Sequence, residues 1–515
     1  METRIPTDIL RKTDDGVTCF EIESLRFPIT DVTQYVLFDA EEIKQRQSVF
    51  RDILTHPELL EKYDALRQKV DDLSEFYRKS GDDRDNESIV YSIIKIQIFT
   101  DIIDYVSEVL YPLCEDKTIK SQSMIDLTLA CVKISREKTY GNVKSWLCNI
   151  DSNLKGIKSI TIGANLDAQL NVSEIGVASF NTSPYVGGGV VNTLFRDETP
   201  DDKYVCMISL GVSETKKLLG RSIVSINHEL FNAMNTVFKS SLKKIRADII
   251  NMYKKDIVAL SGLKDDLTYI IKTAQYMLYI KEKGGCLTFP TVGEEQNITG
   301  LYNPNLLIKA EMTEIVSNDV KMDENNRIFV ITGPNSGGKT VYLDSIGLAQ
   351  LFFQLGLPVP AVSAEMKPLK TIASLYVRNV TVNNGRLADE VGRLKECLDH
   401  ISRDSLLLLD ETFSSTSAFE GVFLAESLIK YLSDIGCYAV YVTHFHELSQ
   451  RLTELNREEK YNIHMLTADN ENGKRTYKIV PYHGFDSEKS LAREIVIENG
   501  LGFLFDKKNN SHAIV

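Results

Sequence analysis

A glycine-rich segment late in the chain has the residue types that hold phosphate groups. It follows the short apolar run Arg327–Thr332 and precedes residues with the spacing of a helix. The segment consists of Gly333, Pro334, Asn335, Ser336, Gly337, Gly338, Lys339 and Thr340, the Walker A pattern Gly-x-x-x-x-Gly-Lys-Thr. Glycines let successive backbone N–H groups point into one concavity, and the helix N-terminus adds favourable partial charge. We therefore predict that all eight residues bind ATP, with Lys339 on the β- and γ-phosphates and Thr340 on Mg²⁺.

Two acidic residues end a second apolar run, as in a Walker B motif. The pattern of Ser405–Leu409 is typical of a central parallel strand that is covered on both faces, and Asp410 and Glu411 follow it directly. Ligands of parallel sheets bind at the carboxyl ends of the strands. We expect Asp410 to hold Mg²⁺, directly or through water, and Glu411 to orient or deprotonate the attacking water. An isolated Asp-Glu pair at a strand end is common, but one that follows a phosphate loop predicts ATP hydrolysis.

A histidine follows a third apolar run, Tyr438–Thr443. A single histidine after a strand is usually an ordinary surface or core residue. His444, however, is expected at the same sheet edge as the phosphate loop and the two acids, where it could sense the γ-phosphate or the water near it. Its predicted catalytic role depends on that geometry and not on the strength of a motif.

The pattern of elements around these residues predicts an α+β multidomain protein. Apolar residues three and four apart indicate helices on both sides of a segment that is rich in β-branched residues and contains Gly187–Gly189. From about Pro290, strands and helices alternate as in a doubly wound α/β P-loop domain. The predicted organisation is an N-terminal segment (1–30), a helical region (31–154), a strand-containing insertion (155–215), a helical return (216–289) and an ATPase domain (290–515).

Composition restricts the classes of partner. Lys and Arg number 59 and Asp and Glu 72, a net charge of −13, which argues against a uniformly basic surface that coats nucleic acid. A local basic groove stays open, because one side of a predicted long helix carries Lys239, Lys243, Lys244, Arg246, Lys254 and Lys255. They could follow a phosphate backbone or form an ordinary solvated face, and sequence alone slightly favours the solvated face.

Apolar runs and cysteines indicate the compartment. No apolar run is long enough for a transmembrane helix, and Met1–Asp15 has no signal-peptide pattern. The eight cysteines lie far apart and form no Cys-x-x-Cys pair, which favours reduced thiols over a disulfide framework or a zinc site. We therefore expect a cytoplasmic protein without membrane contact.

Four segments between about residues 300 and 500 resemble motifs of the MutS family, and they follow one another in the family's order. The phosphate loop resembles Gly-Pro-Asn-Met-Gly-Gly-Lys-Ser or -Thr, residues 410–421 resemble Asp-Glu-Ile-Gly-Arg-Gly-Thr-Ser-Thr-x-Asp-Gly, and residues 443–448 resemble Thr-His-Tyr-x-Glu-Leu. Upstream, Asn318 and Asp319 resemble the Asn-Asp pair ahead of that family's phosphate-loop strand.

The resemblance implies a DNA-dependent or DNA-modulated ATP hydrolase of ABC/MutS type that acts in mismatch repair or related repair and recombination. It implies a homodimer through the ATPase domain, closing around double-stranded or branched DNA, with ATP binding and hydrolysis switching its grip. Asn318 would contact the nucleotide, and Ser417 would face the partner subunit's nucleotide. The helical region would be the core and lever, and residues 155–215 would take the clamp position. Downstream repair proteins would be further partners.

Three departures from the family pattern bear on this expectation. The stretch ahead of the predicted helical core is too short for the family's mismatch-reading domain, and no aromatic wedge is evident, which favours junctions or other branched DNA. The family's signature serine is Gly385 here, with Arg386 as a candidate substitute. Phe413, Ser414 and Ser415 replace the usual Gly-Arg-Gly in the partner-facing turn.

Two other classes fit parts of the sequence. The first is an ATP-switched protein-assembly module without DNA readout, which the acidic balance favours and which salt dependence would distinguish. The second is an ABC-type transport subunit. It is disfavoured because the Leu-Ser-Gly-Gly-Gln signature is absent and the long helical region would have no role.

Overall fold

The computed structural model describes most of the chain. The described residues are 4–10, 17–25, 27, 29, 32–80, 89–155, 159–166, 168, 172–181, 253–309, 315–334, 336–377, 386–457, 462–471 and 474–483. They form a mixed α/β structure, which confirms the predicted class at that level. Two units emerge from the contacts: Met1–Ile9, Glu61–Ile119 and Met124–Thr268 in the first, and Leu10–Leu60, Lys120–Ser123 and Tyr269–Val515 in the second. The boundaries of the five predicted segments stay predictions.

Helices dominate the chain ahead of residue 290. They are Ala40–Thr55, Glu58–Ser80, Ile89–Tyr105, Tyr111–Glu115, Gln122–Ser135, Lys138–Lys155, residues 253–262 and Lys264–Glu282. In the first unit, Tyr63, Leu66 and Val70 are buried at the predicted helical spacing. Of the predicted insertion, β2 (Ser159–Leu166) and β3 (Val172–Asn181) form an antiparallel pair. Most of the rest of the insertion lies outside the described residues, as do Lys239, Lys243, Lys244 and Arg246. Lys254 and Lys255 are exposed on the helix of residues 253–262.

The second unit is built on a seven-stranded sheet. Its strands, in spatial order, are β1 (Thr18–Phe20), β9 (Thr371–Tyr376), β10 (Ser405–Asp410), β11 (Tyr438–Val442), β7 (Ile328–Thr332), β12 (Ile463–Glu471) and β13 (Lys474–Pro481). All neighbouring strands are parallel except β12 and β13. Strands β7 and β11 are buried along their whole length, as near-continuous apolar runs at the centre of a parallel sheet require.

Helices cover both faces of this sheet. On one face, the helices Arg386–Leu398, Ala418–Ile435 and His446–Arg457 share an apolar cluster with strand residues such as Leu407 and Leu409. On the other face lies the helix Lys339–Gln354, which begins at the phosphate loop and is buried along most of its length. This two-sided cover is the doubly wound arrangement that the sequence pattern predicted.

A smaller sheet lies next to the phosphate-loop helix in the same unit. Its order is β4 (Thr291–Val292), β8 (Ser363–Met366), β5 (Gln296–Leu301) and β6 (Asn318–Met322). Strand β6 begins with Asn318, and the short helix Pro304–Lys309 follows β5. This sheet therefore brings residues ahead of the phosphate loop close to it.

The N-terminal strand β1 has a position that its pattern did not indicate. Thr18–Phe20 pairs in parallel with Thr371–Ala373 and forms one end of the seven-stranded sheet. Three residues are too few for periodicity to reveal a strand. The seven-stranded sheet thus includes a segment from the beginning of the chain.

Among the helices in the described ranges, none is long and apolar enough to cross a lipid bilayer.

Packing of the phosphate-loop helix against the sheet requires a small residue at position 347. A Cβ on Gly347 would lie 2.5 Å from Leu408 Cδ1 and 2.7 Å from Leu25 Cδ2. We expect Gly347→Ala to lower the free energy of unfolding by about 1–3 kcal/mol, because overpacking a dense core forces shifts. Gly392→Ala is the matched control, since nothing lies within 4 Å of its Cβ and alanine favours helix. Urea unfolding of both variants checks this, and equal effects would contradict it.

Candidate nucleotide-binding site

Glycines allow the phosphate loop a backbone conformation that other residues rarely adopt. Gly333 and Gly338 have φ angles of 114° and 93°, in the left-handed region that residues with a Cβ rarely adopt. A Cβ on Gly337 would lie 2.8 Å from the Cβ of Ala468, on the neighbouring strand β12. Ser336 also has a positive φ, of 63°. The loop therefore curves tightly between β7 and its helix, and Asn335 lies outside the described residues.

Lys339 is a buried cation within this loop. Its side chain is 5 % exposed, and Nζ donates hydrogen bonds to the carbonyl oxygens of Gly333 at 2.8 Å and Pro334 at 3.0 Å. Burial lowers the pKa of Lys339, and the nearby Glu411 and Asp410 carboxylates oppose that shift. Two neutral carbonyls are weak partners for a buried ammonium, so a phosphate group could replace them favourably.

Thr340 and Asp410 form the second part of the site. The Thr340 hydroxyl lies 3.2 Å from each carboxylate oxygen of Asp410. Burial raises the pKa of Asp410 to about 6, although the bond from Thr340 and the charge of Lys339 act in the opposite direction. A hydroxyl and a carboxylate are hard oxygen ligands, and a bound cation would offset the cost of burying this negative charge. The two residues therefore fit Mg²⁺.

Glu411 and His444 leave neighbouring strands at the same edge. Glu411 has a left-handed φ of 53°, and its N–H donates to the carbonyl of Val442 at 2.9 Å. The carboxylate Oε1 lies 4.0 Å from His444 Nδ1. The structure thus brings Lys339, Thr340, Asp410, Glu411 and His444 to one end of the sheet, as the strand pattern predicted, while their chemical roles stay predictions.

A buried glutamate that the sequence reasoning gave no role holds the turn after Glu411. Glu390 is 8 % exposed, and its carboxylate accepts from the Phe413 N–H at 2.7 Å and from Ser415 Oγ at 3.0 Å. Phe413 has a φ of 69°, so this turn has two residues in the left-handed region. The sequence does contain an indication of this role, because Glu390 is an acidic residue on the apolar side of an amphipathic helix.

A cavity of about 400 Å³ opens beside the phosphate loop. One end carries the polar groups of Ser336, Lys339, Thr340 and Glu411. The remaining wall is mostly apolar and aromatic, a surface that sequence reasoning missed, and consists of Leu301, Tyr302, Leu306, Ile315, Val316, Val341, Tyr342 and Tyr477, with Asn303, Asn318, Gly338 and Ser345. A polar end and an apolar wall suit a ligand with a charged tail and a flat ring.

Asn318 joins two strands at the cavity wall. Its side-chain amide donates to the Tyr477 carbonyl at 3.2 Å, and its Oδ1 accepts from the Ile479 N–H at 2.8 Å. Tyr477 has a φ of 57° and also lines the cavity. Asn318 therefore fixes β13 against β6, and its predicted contact with the nucleotide stays a prediction.

Ser417 caps a helix outside the cavity lining. Its hydroxyl accepts from the Glu420 N–H at 3.3 Å, the N-cap bond of Ala418–Ile435. Hydrogen bonds from Thr416 and Ser417 to the Glu420 carboxylate, 2.6 and 2.9 Å long, lower the pKa of Glu420. The expected contact of Ser417 with a partner's nucleotide stays a prediction. Gly385 lies outside the described residues, and Arg386 begins the helix Arg386–Leu398.

Comparison with known proteins relates this site to one family. Residues 329–489 match the family model MutS domain V. The DNA mismatch repair protein MutS of Lactobacillus johnsonii is 29 % identical over 360 residues, covering 66 % of this chain and 38 % of that protein. MutS of Halothermothrix orenii is 24 % identical over 489 residues, 86 % of this chain and 51 % of that protein. Endonuclease MutS2 of Borreliella burgdorferi is 29 % identical over 249 residues, 47 % of this chain and 30 % of that protein. The matches span a third to a half of the relatives' length.

The two bonds of Asn318 predict a measurable loss of stability. We expect Asn318→Ala to lower the free energy of unfolding by about 0.5–1.5 kcal/mol, because two partly exposed backbone groups of β13 lose their hydrogen bonds to the side chain. Asn297→Ala, an exposed position on β5, is the control and should change it little. Urea unfolding measures both, and a neutral Asn318→Ala would contradict the structural role of this residue.

Proposed function

The chain is a MutS-family protein, and we propose that it is a Mg²⁺-dependent ATP hydrolase whose nucleotide state switches a grip on DNA. The observation that carries this proposal is the meeting of Lys339, the Thr340–Asp410 pair and Glu411 at one sheet edge. The relatives that are named DNA mismatch repair proteins support a role in mismatch repair or related repair and recombination.

In the proposed mechanism, the phosphates of ATP enter the polar end of the cavity. Lys339 exchanges its two loop carbonyls for β- and γ-phosphate oxygens, and Thr340 and Asp410 would hold Mg²⁺. Bound Mg²⁺ would neutralise charge on the phosphates. Glu411 orients the attacking water and accepts its proton, and His444, 4.0 Å from Glu411, contacts the γ-phosphate or that water. The apolar wall with Tyr302 and Tyr342 holds the adenine ring.

We propose further that the ATPase domain forms a homodimer. Phe419 and Phe423 lie on the helix Ala418–Ile435, which Ser417 caps, and they are 71 % and 60 % exposed. Two exposed aromatic residues one helical turn apart are unusual on a free surface and suit an interface. Double-stranded or branched DNA as ligand, downstream repair proteins as partners and a cytoplasmic location stay predictions.

Two substitutions separate nucleotide binding from hydrolysis. We expect Lys339→Ala to weaken ATP binding by about 10- to 100-fold, because a buried charge-assisted contact to phosphate is lost. Glu411→Gln should bind ATP within about threefold of wild type and lower kcat by about 10²- to 10⁴-fold, the range of general base catalysis. Titration with a fluorescent ATP analogue and steady-state phosphate release measure the two effects.

A matched control for these variants is Lys430→Ala. Lys430 forms an ion pair with Glu426 on the helix Ala418–Ile435, away from the cavity lining. Both its binding and its kcat should stay close to wild type. Wild-type hydrolysis by Glu411→Gln would remove Glu411 as the general base.

DNA binding distinguishes the leading proposal from a switch that acts on protein partners. The variant Glu411→Gln would keep the protein in its ATP-bound state, because it binds ATP but hydrolyses it slowly. Its affinity for matched duplex, single-mismatch duplex and four-way junction would be measured at two salt concentrations. We expect ATP-dependent binding that weakens with salt, because each phosphate contact gives a slope of about −0.9 in log affinity against log salt. Preference for the mismatch would support literal mismatch repair, and preference for the junction a role on branched DNA. No salt-sensitive binding would overturn the DNA proposal and favour the protein-assembly module.

A further inference from the structure

The N-terminal strand carries an acidic residue into the ATPase unit. Glu21 follows β1 directly and has a left-handed φ of 52°, which residues with a Cβ adopt at a cost. Its carbonyl oxygen accepts a 2.7 Å hydrogen bond from Ser374 Oγ of β9. Strand pairing and this bond therefore fix the backbone from which the carboxylate projects.

The Glu21 carboxylate binds one guanidinium through two hydrogen bonds. Arg393 donates from Nε to Oε1 at 2.7 Å and from Nη2 to Oε2 at 2.6 Å. The two side chains are 18 % and 12 % exposed, so solvent screens the pair little. A bidentate pair of this kind fixes orientation as well as distance. The position of Arg393, and of its helix Arg386–Leu398, is thus tied to the N-terminal segment.

The same helix holds the turn that follows Glu411. Glu390 lies three residues before Arg393, and so on the same side of the helix. It binds the Phe413 N–H and Ser415 Oγ. The helix that carries Arg393 and Glu390 therefore connects the bonds to Glu21 with the bonds to the residues next to the proposed general base.

A second contact of Arg393 fixes the end of the neighbouring strand. Its Nη2 also donates to the Tyr376 carbonyl at 2.9 Å, at the end of β9. At the end of the helix, the ring of Phe20 lies 5.0 Å from that of His400. The N-terminal segment therefore contacts this helix at Arg393 and contacts His400 just after the helix ends. A shift of β1 would shift the helix.

We propose that Glu21 and Arg393 are positioning residues for ATP hydrolysis, acting through Glu390 on the turn that carries Glu411. This inference rests on the proposed function. Without the Glu21 carboxylate, Arg393 keeps the Tyr376 carbonyl and the more distant Asp389, 3.9 Å away on its own helix. The helix would then change its position relative to the turn after Glu411. Because the left-handed backbone of Glu411 depends on its surroundings, its carboxylate would lose its alignment with the attacking water.

The kinetic test uses the full chain and the variant Glu21→Gln. We expect kcat for ATP hydrolysis to fall about tenfold, with KM for ATP within about twofold, because Lys339 and Thr340 lie outside this set of bonds. Arg393→Gln should behave in the same way. The charge exchange Glu21→Arg with Arg393→Glu should recover part of kcat, which a general loss of stability would not allow.

A matched control is Glu426→Gln. Glu426 is 16 % exposed and pairs with Lys430 and Arg451, but it has no bond to the helix Arg386–Leu398 among the described residues. Its kcat should stay close to wild type. An equal fall in kcat in this control, or an unchanged kcat in Glu21→Gln, would overturn the inference.

Hydrogen–deuterium exchange tests the linkage without hydrolysis. In Glu21→Gln, the amides of residues 387–398 and 412–415 should exchange faster, while those of residues 447–457 should not change. Unchanged exchange at 412–415 would overturn the linkage. A wild-type chain that does not hydrolyse ATP would remove the proposed function together with this inference. A wild-type chain that hydrolyses ATP, with an unaffected Glu21→Gln variant, would remove this inference alone.

Discussion

The shared register of three buried parallel strands is the constraint on which the candidate site depends. Val442 of β11 pairs with Ile331 of β7 on one side and with Asp410 of β10 on the other. The three strands therefore end at one level, and the phosphate loop, the two acids and His444 must leave the sheet side by side. Close packing of helices on both faces fixes this register, because sliding one strand by a residue would exchange side chains of different shape between two packed faces.

Burial also gives the site its electrostatic character. Desolvation is the main cause of both pKa shifts, downward for Lys339 and upward for Asp410. Each charged group is bonded to neutral partners, two carbonyls for Lys339 and a hydroxyl for Asp410. The buried Lys339 cation and the half-buried Asp410 anion are therefore suited to ligands of the opposite charge, namely phosphate and a metal ion. The sheet thus holds both charges in place at a cost that a bound nucleotide with Mg²⁺ would offset.

Local patterns in the sequence predicted one part of this arrangement, and long-range contacts formed the rest. The phosphate loop and the strands ending at Asp410 and His444 follow from apolar runs and glycines, because a parallel sheet brings the ends of its strands together. No local pattern reveals that Thr18–Phe20 pairs with β9, that Glu390 binds Phe413, or that Asn318 binds β13, because each partner lies far away in the chain. The apolar cavity wall was missed for the same reason.

The pairing of β1 with β9 also constrains how the protein acquires its structure. Ser374 and Glu21, which hydrogen-bond across this pair, are 353 residues apart in the chain. During synthesis β1 is made long before its neighbour β9. It therefore cannot pair with β9 until the helical region between them has been made. Contacts of such large sequence separation form slowly, because closing the intervening loop costs entropy before the contact contributes. This end of the sheet should therefore be completed late, after the chain has been made past β9.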